Sequence, residues 1–183
     1  MAKLVSKTYG QALFELAIEE NRLDEFLEEA ELTLKLIGEN PKFSELMNHP
    51  HIDMEEKVQV VETVFGGHLS KEITGLMRLI VQKDRYHEVN EILSWFIDQV
   101  KQEKGIGKAE VISAAPLSDV QKKQIENRLL ETTPYRQMEM DYQTDQSLIG
   151  GLRIRIGDRV VDSSISTRLY NLKKELLKVQ LAQ

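Results

Sequence analysis

Residues 144–176 read TDQSLIGGLRIRIGDRVVDSSISTRLYNLKKEL, and this stretch decides the architecture of the C-terminal half of the chain. Three apolar residues alternate with arginines, as in a strand with one buried face: Leu152, Ile154 and Ile156. Gly157 and Asp158 then predict a tight turn, and Val160 begins a return strand. The stretch therefore predicts a β-hairpin.

An amphipathic helix is expected directly after the hairpin. Asp162 or Ser163 is placed to cap it, and the apolar positions of the helix are Ile165, Leu169, Leu172 and Leu176. Gly150 and Gly151, where the first strand begins, predict a bulge or a close backbone approach. The glycines fit neither the dinucleotide-binding nor the P-loop pattern. The stretch indicates a hairpin and helix of an α+β unit without chemistry of its own.

The exact residues of this stretch resemble the C-terminal signature of the F-type ATP synthase delta subunit family, the bacterial counterparts of the mitochondrial oligomycin sensitivity conferral protein. The matching positions are Asp145, Ser147, Leu148, Ile149, Gly150, Gly151, Gly157, Asp158, Asp162, Ser163, Ile165 and Leu169. Gln146 stands where proline is common in the family, which should loosen the turn without changing the fold.

Composition favours a soluble protein of one or two domains. The 183 residues are 41% hydrophobic, enough for a core, and 30% charged. No window reaches the length of a transmembrane helix, and the N-terminus lacks the pattern of a signal or transit peptide. A bacterial cytoplasmic location is the simpler interpretation. The absence of cysteine excludes disulfides, thiolate chemistry and cysteine-based zinc sites.

The net charge of −6 bears on possible partners. It disfavours a general nucleic-acid binder, which normally carries a basic face. It also disfavours direct binding to anionic lipid. Any membrane association is therefore expected to pass through another protein.

The first ~100 residues show one helical pattern after another with short breaks, and the rest reads strand, helix, strand, hairpin, helix. The fold class expected is mostly α with an α+β C-terminal part: a six-helix bundle over 1–104, a glycine-containing hinge over 105–107, and a small α/β domain over 108–183. Its first strand is expected over 108–115, where Pro116 ends it.

The first helix carries two apolar arcs. One is expected to face the core and holds Val5, Tyr9, Ala12, Leu13 and Leu16. The other holds Leu4, Gly10, Phe14, Ala17 and Ile18. A helix with two apolar arcs is either deeply buried or has a partner on one of them, and the pattern leaves both open. Gly75 and Leu79 on the fifth helix form a similar pair off the core arc.

Catalytic and metal-binding interpretations find little support. The carboxylates lie opposite apolar stripes, as on solvated helix faces. His49 and His51 have a spacing that two metal ligands can adopt, but no third ligand is nearby. We expect no catalytic residue, no cofactor and no metal. Two rival classes remain, a nucleic-acid-binding helical protein and an enzyme of unrecognised type.

The helical half also resembles the delta family. The family motif Tyr-small-x-Ala-Leu-Phe-x-Leu-Ala matches residues 9–17, and a second, weaker match comprises Leu76, Leu79, Ile80 and Arg85. The resemblance implies a non-catalytic subunit of the peripheral stalk, present once per complex, on the cytoplasmic face of the bacterial membrane. It would link the N-terminus of an alpha subunit in the catalytic head to the membrane-anchored b subunits and resist torque.

Two sets of contact residues follow as hypotheses. A groove for the alpha-subunit helix is expected to be lined by Gly10, Phe14, Ala17, Ile18, Gly75 and Leu79. The stalk end is expected at the signature residues Leu148, Ile149, Gly150, Gly151, Gly157, Asp158, Asp162 and Ser163, and on the apolar tail Leu176, Leu177, Val179 and Leu181. The tail could equally pack on its own domain.

Overall fold

The structure, a computed structural model, describes residues 2–180, with side chains described for residues 6–174. The chain divides into two compact units, Met1–Glu103 and Lys104–Gln183. We call these the N-terminal unit and the C-terminal unit and describe each by itself.

The N-terminal unit is a bundle of helices. They are α1 (Ala2–Glu19), α2 (Leu23–Glu39), α3 (Pro41–Met47), α4 (Met54–Phe65), α5 (Lys71–Gln82) and α6 (Val89–Glu103). Helix α6 carries a continuous buried stripe and packs against both α1 and α2. Its buried residues are Val89, Ile92, Leu93, Phe96, Ile97 and Val100. The core therefore forms around α6, as the 3.6-residue spacing of these side chains requires.

A carboxylate on α2 fixes the start of α5. The Ser70 hydroxyl accepts a hydrogen bond from the Ile73 amide, as expected of a helix cap. The Glu29 carboxylate accepts from the Ser70 amide at 2.9 Å and from the Ser70 hydroxyl as well. Negative charge is favourable at a helix N-terminus, so Glu29 fastens two helices that are distant in sequence.

The C-terminal unit combines a mixed sheet with two helices. Its elements are β1 (Ile106–Ser113), α7 (Asp119–Thr132), β2 (Gln137–Thr144), β3 (Leu152–Ile156), β4 (Arg159–Asp162) and α8 (Ile165–Gln180). The sheet order is β2-β1-β3-β4, with β1 parallel to β2 and antiparallel to β3. Strands β3 and β4 form the expected hairpin. The predicted fold class is confirmed.

The first strand begins earlier than the sequence suggested. Ile106 and Gly107 pair with β2 and belong to β1, so the expected hinge over 105–107 is corrected at these two positions. A Cβ on Gly107 would lie 2.5 Å from the Tyr135 ring and 2.6 Å from the Met138 sulfur. The glycine therefore marks close packing inside the sheet, and β1 ends at Ser113 rather than Ala115.

Candidate partner-binding surfaces

Gly10 and Ala17 do not line a surface groove. Both are buried on the side of α1 that faces the core. A Cβ on Gly10 would lie 2.5 Å from the Trp95 ring of α6 and 3.2 Å from the Ile92 carbonyl oxygen. The expectation that they contact a partner is corrected, because both are buried inside the unit and the absence of a side chain on Gly10 lets α1 pack closely on α6.

Ala12 was expected to face the core, but the structure shows that it is exposed. Its neighbours on that side of α1 are Tyr9 and Leu16, both half-buried. The guanidinium carbon of Arg85, just beyond α5, lies 5.8 Å from the centre of the Tyr9 ring. The side of α1 that carries Tyr9, Ala12 and Leu16 therefore faces toward α5.

Phe14 and Ile18 lie on the other side of α1. At 3.6 residues per turn, they are about 140° and about 180° around the helix from Tyr9. Phe14 is half-buried against the core, and Ile18 is 48% exposed. The structure therefore does not bring them together with Gly75 and Leu79.

Helices α1 and α5 run antiparallel, side by side. Tyr9 is near Arg85 at one end, and Arg22, after α1, reaches the Glu72 carboxylate on α5 at 3.3 Å. The side of α5 that carries Glu72 also carries Leu76 and Leu79, one and two turns later.

We call the surface between these two helices the α1–α5 groove. Its residues are Tyr9, Ala12, Leu16, Leu76 and Leu79. Gly75, which was predicted to line this groove, instead lines a pocket that includes Glu62 of α4 and Gly66 directly after it. Leu79 is 40% exposed, and the space beside the Gly75 Cα is open. The groove thus offers the apolar side chains of Leu16, Leu76 and Leu79 beside the small, exposed Ala12.

Signature residues of the C-terminal unit hold the loop before β3 against the start of α8. We call this set of contacts the clasp. The Gly150 carbonyl accepts from the Ile165 amide at 2.9 Å, and the Leu152 carbonyl accepts from the Ser163 amide at 2.9 Å. A Cβ on Gly151 would lie 2.5 Å from the Ser163 carbonyl oxygen. These contacts tie the start of α8 to the loop before β3, which explains why glycines stand there.

Asp162 is the polar centre of the clasp. Its carboxylate accepts from the Ser164 amide at 2.9 Å, the Thr167 hydroxyl at 3.0 Å and Arg153 Nε at 3.1 Å. The cap of α8 is Ser164, whose hydroxyl accepts from the Thr167 amide, and not Asp162 or Ser163 as expected. The hydrogen bonds from Ser164 hold the pKa of the Asp162 carboxyl well below its usual range, with smaller contributions from Arg153 and Thr167.

This pKa shift predicts acid sensitivity of the clasp. Because the folded pKa is depressed, the stabilisation is complete above the unfolded value of about 4 and is lost as the pH falls below it. Thermal melts from pH 7 to pH 3 should show a wild-type advantage over Asp162→Asn that shrinks below about pH 4. An advantage that stays constant to pH 3 would contradict the assignment.

Of the remaining signature residues, one is buried and the others are exposed. Leu148 is buried, whereas Asp158 and Gly157 are exposed in the β3–β4 turn. Ile149 is 66% exposed and has a φ of +64°, a conformation that is costly for a β-branched residue. Ile149 is therefore held outward by the loop, at the edge of an apolar pocket.

That pocket has a volume of about 720 Å³ and lies between α7 and the start of β3. Its apolar lining includes Leu117, Ile125, Leu129, Ile149 and Ile154. A second apolar surface runs along α8, where Ile165, Leu169 and Leu172 are 43%, 53% and 55% exposed. The predicted tail residues Leu176, Leu177, Val179 and Leu181 lie outside the described side chains.

Neither metal-ligating clusters nor membrane-spanning helices are found in the described part of the chain. His49 and His51 have ring centres 5.6 Å apart. The described residues form no group of three or more potential metal ligands. Among them, no helix is both long and apolar enough to cross a membrane.

Comparisons with known proteins agree with these observations. The family model described as ATP synthase delta (OSCP) subunit matches residues 5–176. The ATP synthase subunit delta of Lachnoclostridium phytofermentans is 49% identical over 181 residues, covering 99% of this chain and 100% of the relative. That of Acetivibrio thermocellus is 33% identical, covering 96% and 99%. A chain in the cryo-EM structure of the Toxoplasma gondii mitochondrial ATP synthase hexamer shares the fold, with a TM-score of 0.79 at 19% identity over 94% of this chain and 97% of that one.

Proposed function

The chain belongs to the ATP synthase delta (OSCP) subunit family, and we propose that it fastens the catalytic head of an F-type ATP synthase to the membrane-anchored stalk. It is a structural subunit of the complex and not a catalytic one. Holding the head still while the central shaft turns would let proton flow drive ATP synthesis. The resemblance supports one copy per complex, on the cytoplasmic face of the bacterial membrane.

The head end of this link is proposed to be the α1–α5 groove, occupied by the N-terminal helix of an alpha subunit. The observation that carries this proposal is the exposed apolar floor between two antiparallel helices, Ala12 on one side and Leu79 on the other. Amphipathic helices bind in such grooves through apolar anchors at helical spacing. The small size of Ala12 would let the partner helix approach closely.

The free energy of apolar burial indicates how tightly the α1–α5 groove would bind the alpha-subunit helix. Nanomolar binding requires about 12 kcal/mol. Each apolar side chain fully buried in the groove contributes roughly 1.5–3 kcal/mol, before the cost of ordering the partner is subtracted. The apolar residues of the groove, together with the anchors that the partner supplies, can therefore account for tight binding.

The stalk end is proposed to lie on the C-terminal unit. Its apolar surfaces, the pocket beside Ile149 and the exposed side of α8, support this placement. The b subunits of the stalk are the proposed occupants. The signature glycines and Asp162 would support these surfaces from within, because the clasp uses them for hydrogen bonds inside the unit.

The proposal is tested by calorimetric titration of the full-length chain with a synthetic peptide of the host alpha subunit's N-terminus. Saturable 1:1 binding with a Kd below about 1 μM is expected, corresponding to more than about 8 kcal/mol. A peptide of the same composition in scrambled order is the control. No binding by the folded chain, or equal binding of both peptides, would overturn the head-end proposal.

A further inference from the structure

One end of the α1–α5 groove is lined with carboxylates. Glu15 and Glu19 follow Ala12 by three and seven residues, so they lie on the same side of α1, beside the groove and toward the end of the helix. Both side chains are exposed. Glu72 of α5 faces the same end of the groove, where it contacts Arg22. We call the place where α1 ends and α5 begins the acidic end of the groove.

Few cations offset the carboxylates of the acidic end. The Arg22 guanidinium is already shared by three of them, at 2.7 Å from Glu20, 2.6 Å from Glu25 and 3.3 Å from Glu72. Lys71, directly before Glu72, lines a pocket with Glu62 and so lies toward α4. The acidic end thus places one guanidinium among five carboxylates, which belong to Glu15, Glu19, Glu20, Glu25 and Glu72.

The opposite end of the groove has a different charge. Arg85 lies over the Tyr9 ring there, and Lys83 follows α5 directly and is exposed. Asp84 stands between these two cations. Lys7 is about 140° around α1 from Ala12 and so points away from the groove. The excess of carboxylates is therefore confined to one end of the groove.

We propose that the α1–α5 groove selects an amphipathic helix with Lys or Arg beside its apolar stripe, and that these cations lie against the acidic end. Complementary charge of this kind steers association and selects among partners that have similar apolar surfaces. The inference rests on the proposed head contact and adds the charge of the helix that makes it. Residues 1–103 contain 20 Asp and Glu against 11 Lys and Arg, so two copies of this acidic unit repel each other and a basic partner is favoured.

The test uses the full-length chain and three designed helical peptides as long as α1, 18 residues, with one shared apolar stripe. The positions beside the stripe are all Lys, all Gln or all Glu. Fluorescence anisotropy in about 0.05 M salt should show the Lys peptide binding at least about tenfold more tightly than the Glu peptide, with the Gln peptide between them. In about 1 M salt the ratio should fall below about twofold, because charges are then screened within ~3 Å. Equal binding of the three peptides in low salt, or of none, would overturn the proposal.

Two matched variants separate the acidic end from the net charge of the chain. Glu15→Gln/Glu19→Gln should reduce the preference for the Lys peptide over the Glu peptide at least about threefold. Glu45→Gln/Asp98→Asn removes as many carboxylates from exposed positions on α3 and α6, and it should leave the preference unchanged. If both variants reduced the preference equally, the selection would come from net charge, and the assignment to the acidic end would be wrong.

Sedimentation of the free chain tests a second copy as the occupant. The chain should be monomeric at the concentrations used for binding, and a dimer that Ala12→Asp dissociates would assign the groove to self-association and overturn the inference. The alpha-subunit peptide is titrated in parallel. If it binds while the designed peptides show no charge preference, only this inference fails. A preference for the Lys peptide without binding of the alpha-subunit peptide would leave the selectivity of the groove standing and remove the proposed head contact.

Discussion

Substituting Gly151 by alanine is expected to destabilise the C-terminal unit enough to open it at α8, and to leave the N-terminal unit unchanged. Gly151 has a φ of +81°, and a Cβ there would lie 2.5 Å from the Ser163 carbonyl oxygen and 3.0 Å from the Ser164 Cα. The contacting atoms are backbone, so no side-chain rotation relieves the clash. The conformational cost of about 1–2 kcal/mol and an overpacking cost of about 1–3 kcal/mol add to roughly 2–5 kcal/mol.

A loss of this size is large for the C-terminal unit because few of its side chains are fully buried. Its core cluster comprises Ala109, Leu129 and Met138, with partly buried neighbours around them. Domains of ordinary stability retain about 5–15 kcal/mol in total. We therefore expect Gly151→Ala to populate a state in which α8 is detached and the hairpin is open.

The matched control is Gly157→Ala in the β3–β4 turn. Gly157 also has a positive φ, of +54°, but a Cβ there meets nothing within 4 Å. The Gly157→Ala variant should therefore be destabilised by the conformational cost alone, about 1–2 kcal/mol. The difference between the two variants isolates the contact with the start of α8.

Hydrogen exchange of the β1 and β3 amides measures the C-terminal unit, and fluorescence of Trp95, the single tryptophan of the chain, reports on the N-terminal unit. In Gly151→Ala, exchange should accelerate while the Trp95 unfolding midpoint in urea stays constant. A Gly151→Ala variant that behaves like Gly157→Ala would show that the loop and α8 can move apart freely.

The C-terminal fold was predictable because its local signals agree. The alternation of Leu152, Ile154 and Ile156 determines a strand, and Gly157 determines where it turns back. The apolar positions Ile165, Leu169 and Leu172 of α8 were also visible as helical spacing. The cap was misplaced by one or two residues, since Asp162, Ser163 and Ser164 all have side chains that cap helices. Only the hydrogen bond from the Thr167 amide distinguishes Ser164.

The groove was harder to predict because a small residue in a helix has two meanings. Gly10 and Gly75 both permit a close approach, but Gly10 lies under Trp95 in the core and Gly75 beside open space. Sequence periodicity gives the angle between residues on one helix and does not give the direction of its neighbours. Which of the two flanks of α1 faces α5 is set by tertiary packing, and the contact between Tyr9 and Arg85 reveals it.

Two placements of the partner helix, on the Ala12 side or on the Ile18 side of α1, predict opposite results for a pair of aspartate substitutions. Ala12→Asp places a carboxylate on the floor of the α1–α5 groove, whereas Ile18→Asp places one on the far side of the helix. Both positions are exposed, so either variant should keep its helical circular dichroism. The loss of helix propensity is below about 1 kcal/mol in each case.

Binding of the alpha-subunit peptide should distinguish them. A carboxylate buried without a partner at the interface costs several kcal/mol, so Ala12→Asp should weaken binding by at least about 100-fold, or about 2.7 kcal/mol. Ile18→Asp removes a larger apolar side chain, yet it should change the Kd less than about threefold because no part of the groove touches it. Leu79→Asp should match Ala12→Asp, since it lies across the groove on α5. If Ile18→Asp abolished binding and Ala12→Asp did not, the partner helix would lie along the Phe14 flank of α1, and the proposed head contact at the α1–α5 groove would be wrong.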